Sequence, residues 1–164
     1  MGVLILHCGI YNILCTGTLF FIILKNPRYM MQDYPQEITQ NIEGKTQEEE
    51  KRAIVYGLPF LLILLLYPLA FAFYGKFVLG YTFLQTLFSV FLFAFTFNLV
   101  DLILIDWLVF CTITPEFIVL PGTKGNPGYK NYRYHFTAFL KGSVFSLGAA
   151  VIFALIIEGI SFIV

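Results

Sequence analysis

The sequence predicts an all-α integral membrane protein, an antiparallel bundle of four transmembrane helices, and three observations carry that expectation. Of the 164 residues, 59% are hydrophobic and only 12% charged, against about 45–50% and about 25% in soluble domains. Four apolar stretches are each long enough to cross a hydrocarbon core of about 30 Å at about 1.5 Å per residue. The charges are segregated, with five of the ten Lys and Arg and six of the ten Asp and Glu falling within residues 25–52. One membrane domain, residues 1–164, with polar loops accounts for all three.

The first span covers residues 2–24. No basic segment precedes it and no A-x-A site follows, so it reads as a retained span rather than a cleaved signal. Lys25 and Arg28 come directly after it, which places the N-terminus outside and the loop of residues 25–52 on the cytoplasmic side. That loop offers two helix starts. Asp33-Tyr34-Pro35-Gln36 opens a short amphipathic piece presenting Ile38 and Ile42 and stopping at Gly44. Thr46-Gln47-Glu48-Glu49 is a capping box, and Glu48, Glu49 and Glu50 suit the positive end of the helix that follows.

That helix runs into the second span, residues 53–75, which contains Pro59 and Pro68 and reads as a lipid-facing scaffold. A tight turn at Gly75 or Gly80 leads into the apolar stretch 77–111, whose membrane-crossing part is residues 80–111. Thr112-Ile113-Thr114-Pro115 ends it, because a residue before proline avoids helical geometry. The loop of residues 112–136 bends at Pro121, Gly122, Gly125, Pro127 and Gly128. It then mixes aromatic and basic residues from Tyr129 to Phe136, as a headgroup-level belt does. The fourth span is residues 137–163. Nine of the ten basic residues belong to the two long loops if Lys141 is counted with its loop. A multi-pass protein of the cell membrane with both termini outside is the consequence.

Two carboxylates inside the third span are the loudest chemical signal, since a charge near the bilayer centre costs at least about 2.5 kcal/mol. Asp101 and Asn98 are three apart and share a helical face. Asp106 is rotated by about 140° from Asp101 at about 3.6 residues per turn, so the two do not read as a paired acid/base set. Asn12 lies near the midpoint of the first span on a stripe with Cys8, Cys15 and Leu19. Its depth matches Asp101, which is expected to face the first helix within reach of Asn12 or Asn98. The opposing interpretation of all three is polar glue between helices. His7 and Glu158 fall at similar depth in the outer half and form a second candidate pair, the alternative being that each snorkels to the surface. Lys124, Lys130, Arg133 and His135 flank the Pro-Gly loop, where a phospholipid headgroup is the natural anion.

Net charge is zero and no basic patch interleaves with aromatics on a soluble segment, which argues against nucleic acid as a partner. The lipid bilayer is the partner the composition demands. Small residues at Gly142, Ser146, Ala150 and Ala154 form a ridge suited to close helix approach, including an interface with a second copy or another membrane subunit. Cys8, Cys15 and Cys111 form no C-x-x-C pair and read as apolar core residues. No motif names a metal, a cofactor or a catalytic set. Three functions remain open. The first is binding or transport of a small molecule, ion or lipid through a polar site between the first, third and fourth helices. The second is an interfacial enzyme on a lipid-linked substrate, with Asp106 and His135 as acid/base candidates. The third is a structural or accessory subunit of a membrane complex.

Overall fold

A computed structural model describes residues 1–163. Those residues are 82% helical with no strand, and four helices are long and apolar enough to cross a membrane: Gly2–Lys25, Gln47–Phe77, Phe83–Ile113 and Tyr132–Ser161. Apolar side chains cover much of their outer surface. The second long helix alone exposes Leu58, Leu61, Leu62, Leu65 and Leu66, a patch that water penalises and acyl chains do not.

Each helix boundary has a local cause. The capping box forms at the second long helix: Glu49 N donates to Thr46 Oγ1 (3.2 Å) and Thr46 N to Glu49 Oε2 (2.8 Å). Arg28 grips the same Glu49 with two nitrogens, at 2.7 and 3.2 Å, and donates to the carbonyls of Glu43 and Gly44. The first loop is thereby tied to the helix it precedes. A second capping box, Thr82 with Gln85, starts the third long helix. Thr82-Phe83-Leu84-Gln85 has the same pattern as the first box, so the predicted start at residue 80 moves to Phe83. Of the two candidate turn glycines only Gly80 lies in the turn, and Gly75 stays inside the second long helix. Gly80 takes φ +69°, whereas a Cβ on Gly75 would meet the Tyr81 ring at 2.7 Å.

The third long helix changes its hydrogen bonding partway. Residues Phe83–Val100 are α-helical and Asp101–Ile113 form a π-helix, a register in which an amide pairs with the carbonyl five residues back instead of four; the Asp101 amide, at the junction, still bonds Phe97 O and Asn98 O. Thr114 N bonds Val109 O at 2.8 Å in that register, and Thr112 Oγ1 bonds Trp107 O at 2.7 Å. Thr114 then turns left-handed at φ 50° before Pro115, and Lys130 Nζ donates to the freed carbonyls of Cys111 and Thr112.

The packed core away from the loops gathers Tyr11, Phe93 and Phe97, with Tyr11 and Phe93 in edge contact at 5.3 Å. The small ridge of the fourth long helix is buried within the chain, so it is not free for a second copy. Asn98 Nδ2 donates to Phe139 O and Ser143 Oγ, and a Cβ on Gly142 would lie 2.6 Å from Asn98 Oδ1. Ala150 packs with Ala72 and Val90. Beyond it, Lys76 Nζ meets Glu158 Oε2 at 2.8 Å.

The two polar loops pack on each other. Tyr34 Oη donates to Ile118 O, and Asn126 and Asn131 reach the backbone and carboxylate of Glu37. The expected first loop helix shrinks to one turn, Gln36–Thr39, preceded by a 3₁₀ segment Pro27–Asp33. Ile38 is buried in this loop layer, touching the space beside Gly128.

Candidate functional site

Beneath the loop layer lies a cavity of about 790 Å³, walled by all four long helices and the first loop. Most of its surface is apolar: Leu19 and Ile22 from the first helix, Phe60 from the second, Phe97 and Ile105 from the third. The second helix, expected to face lipid alone, also contributes Glu50, Ala53 and Gly57. Residues spaced by three and four, 50-53-57-60, form one stripe, and the other faces carry the exposed leucines.

Asp101 and Asp106 both line this cavity. The α-helical count turned them apart, but in the π register a residue and the fifth one after it are hydrogen-bonded neighbours one turn on. Asp106 therefore comes round to the side of Asp101. Its Oδ1 lies 3.0 Å from Nδ1 of His135, which is only 3% exposed. Phe110 holds the imidazole by an edge contact at 4.8 Å. His135 Nε2 has no hydrogen-bond partner, an arrangement costly to leave in a buried group unless something else meets it.

The first loop adds Asp33, Tyr34 and Lys45 to the wall. Asp33 is accessible where it borders the cavity, yet the surrounding protein pushes its carboxyl up to about 6, the Asp106 carboxylate adding to the burial while Lys45, Gln32 and His135 oppose it. Lys45 is engaged elsewhere, donating to Gln32 Oε1 at 2.8 Å and Tyr29 O at 3.3 Å. Burial raises the Tyr34 hydroxyl as well, so it stays a neutral donor.

The other residues singled out in the sequence fall elsewhere. Asn12 Nδ2 donates to Cys8 O and Thr96 Oγ1, joining the first and third helices. Asn98 joins the third to the fourth. Neither amide bonds Asp101, because a carboxylate at the first π turn faces the cavity. His7 Nδ1 meets Tyr67 Oη at 2.8 Å while Glu158 is held by Lys76, so His7 and Glu158 have separate partners. The four residues grouped for a headgroup are not brought together. Lys124 pairs with Glu116 and is largely exposed, Lys130 caps the π-helix, Arg133 is exposed and His135 is buried in the cavity wall. Asp33, Tyr34, Lys45 and Glu50 are among the wall residues that sequence reasoning did not assign. Their only local signals were a helix start and a solvated loop, and it is the loop's fold over the helices that turns them inward.

Two helix aspartates and a histidine in the wall of one cavity can hold a cation, accept and pass a proton, or act as an acid/base pair. Among the described residues, no three His, Cys, Asp or Glu side chains are grouped to hold a metal ion. No family model matches the chain, and no curated protein or solved structure shows significant similarity to it.

Proposed function

We propose that the chain sits in the cell membrane as an antiparallel four-helix bundle with both termini outside, and that it binds or moves a small molecule, ion or lipid through the cavity. The observation that carries this reading is the meeting of Asp33, Asp101, Asp106 and His135 around one space whose remaining walls are apolar. Ionisable groups within an apolar helix are costly and persist where a ligand, proton or ion pathway needs them. Asp101 is the proton or cation site in this reading, and Asp106 with His135 is the group beside it that exchanges a proton.

Mass spectrometry of small molecules retained by the chain in nanodiscs tests it. A species held by the native chain and lost from Gly57→Phe supports the reading, because a Cβ at Gly57 meets no atom within 4 Å and the new ring enters the cavity. Identical retained sets from the two proteins would contradict it. Orientation is tested by impermeant thiol labelling of single-cysteine variants at Gln47, Val78 and Lys124 in intact cells, of which only Val78 should react.

A second reading, an enzyme acting on a lipid-linked substrate, is favoured by one feature: His135 Nδ1 lies 3.0 Å from Asp106 in the cavity wall, the contact by which a carboxylate orients an acid/base imidazole. Turnover of extracted lipid by the detergent-solubilised chain, abolished by His135→Ala, would support it; equal turnover by His135→Ala would exclude it.

A further inference from the structure

We infer that the occupant of this cavity is an amphiphilic amine, its protonated nitrogen beside Asp101 and Asp106 and its apolar body along the first and second helices. The inference rests on the cavity being a binding site and names what that site takes.

Charge excludes the opposite sign. Asp33, Asp101 and Asp106 all border the space, joined by Glu50, whereas the one lysine on the wall, Lys45, already donates to Gln32 and Tyr29. An anion entering here would face like charges from three elements with no free ammonium to meet it. An organic cation faces carboxylates on one side and the aromatic rings of Tyr34, Phe110 and Tyr134 on another, surfaces that attract positive charge through the ring quadrupole.

The carboxylates make the choice more specific. Nδ1 of His135 lies 3.0 Å from Asp106 Oδ1 and its Nε2 is buried in the wall, so the groups that meet an occupant are the carboxylates of Asp101 and Asp106. A protonated primary or secondary amine supplies N–H donors to those carboxylates, which a quaternary ammonium cannot do. The apolar remainder of the wall, with Leu19, Phe60 and Phe97, matches a hydrocarbon or aromatic body. A space of about 790 Å³ falls within the range that accepts a whole small molecule, about 300–1,000 Å³.

Three near-isosteric probes test this: phenylbutylamine, phenylbutanol and phenylbutyrate, measured by equilibrium dialysis against phosphatidylcholine nanodiscs holding the full chain, with protein-free discs subtracted. The native chain should bind the amine at least about tenfold more tightly than the alcohol or the carboxylate. Gly57→Phe, and independently Ala53→Phe, should remove binding of the amine, and Asp101→Asn with Asp106→Asn should erase the preference for it. Binding of the alcohol or carboxylate as tight as the amine, and lost in the cavity-filling variants, would overturn the amine while leaving the cavity as a site. Absence of any binding sensitive to Gly57→Phe and Ala53→Phe would overturn both. An amine preference that survives the two Asp→Asn changes would overturn the placement of the nitrogen. The comparison of probes on the native chain decides the sign of charge even if a variant fails to fold.

Discussion

The third long helix is two similarly apolar regions with opposite uses. Its α-helical part, Phe83–Val100, packs Phe93 against Tyr11 of the first helix and Val90 against Ala72 and Ala150, and reaches the cavity only at its end, through Phe97. Its π-helical part, Asp101–Ile113, has no less apolar a sequence, but the wider register brings two carboxylates to one wall and leaves a cavity beside them. The difference lies in the hydrogen-bond ladder and in the two aspartates it turns to one side. A π segment gives up the compact packing of an α-helix, and such segments recur where a site needs that re-aiming. The first region should therefore respond to mutation in stability and the second in binding.

The largest separation should come from Phe93→Ala. Phe93 is fully buried among Tyr11, Tyr67 and Phe71, and truncating it should cost about 3–5 kcal/mol. A thermal-unfolding scan in nanodiscs should show a much lower midpoint, while the folded fraction keeps its affinity for phenylbutylamine. Loss of affinity without loss of stability would break the division between the two regions.

The mirror-image change is Asp101→Asn combined with Asp106→Asn, which keeps shape and removes charge. Amine affinity should fall by about tenfold or more, while the unfolding midpoint stays the same or rises, since like charges beside each other oppose folding. A midpoint that drops as far as for Phe93→Ala would mean that these carboxylates hold helices together and bind nothing.

Asp33 gives a pH dependence of smaller size. Its folded carboxyl is raised to about 6, above its ordinary value, so the folded state holds the extra proton in the window between the two. Any stability from this group is present at the acid end and declines as pH rises through that window; its accessibility keeps that contribution small. Amine binding runs the other way, strengthening as Asp33 ionises on passing about pH 6. The groups around it are Asp101 and Asp106 on the third helix, Glu50 on the second, Lys45 on the loop, and Tyr134 and His135 on the fourth. Affinity titrated against pH should lose part of this step in Asp33→Asn. An unchanged profile would remove Asp33 from the binding wall.

The smallest effect belongs to the start of the third helix. Thr82→Ala removes the acceptor of Gln85 N and should lower stability by about 1 kcal/mol, with no change in amine affinity. A change in affinity would show that the two halves of the helix are mechanically coupled.

How far the sequence reaches follows the same boundary. The four apolar helices were legible because hydropathy and length act on whole segments, and Thr46 with Glu49 announced its cap by spacing alone. Pro115 announced the end of the third helix. The π register left no trace, because residues 102–105 are apolar on every side and any periodicity fits them equally. The angle between Asp101 and Asp106 was therefore computed for the wrong ladder. Asn12 and Asn98 were recognisable as buried polar groups, but depth alone could not say that Thr96 and Ser143 would take them. Asp33 and Lys45 looked like solvated loop charges, since nothing local encodes the folding of that loop over the helix ends.

The π-helix turns Asp101 and Asp106 to the same cavity with His135. An experimental density map of the full chain in lipid, at side-chain resolution, tests it most directly. Expected are a π-helical ladder ending with Thr114 N on Val109 O, both carboxylates on one wall, and Asp106 against Nδ1 of His135. An α-helical ladder there, with Asp106 turned away from Asp101 and out of the cavity, would contradict it.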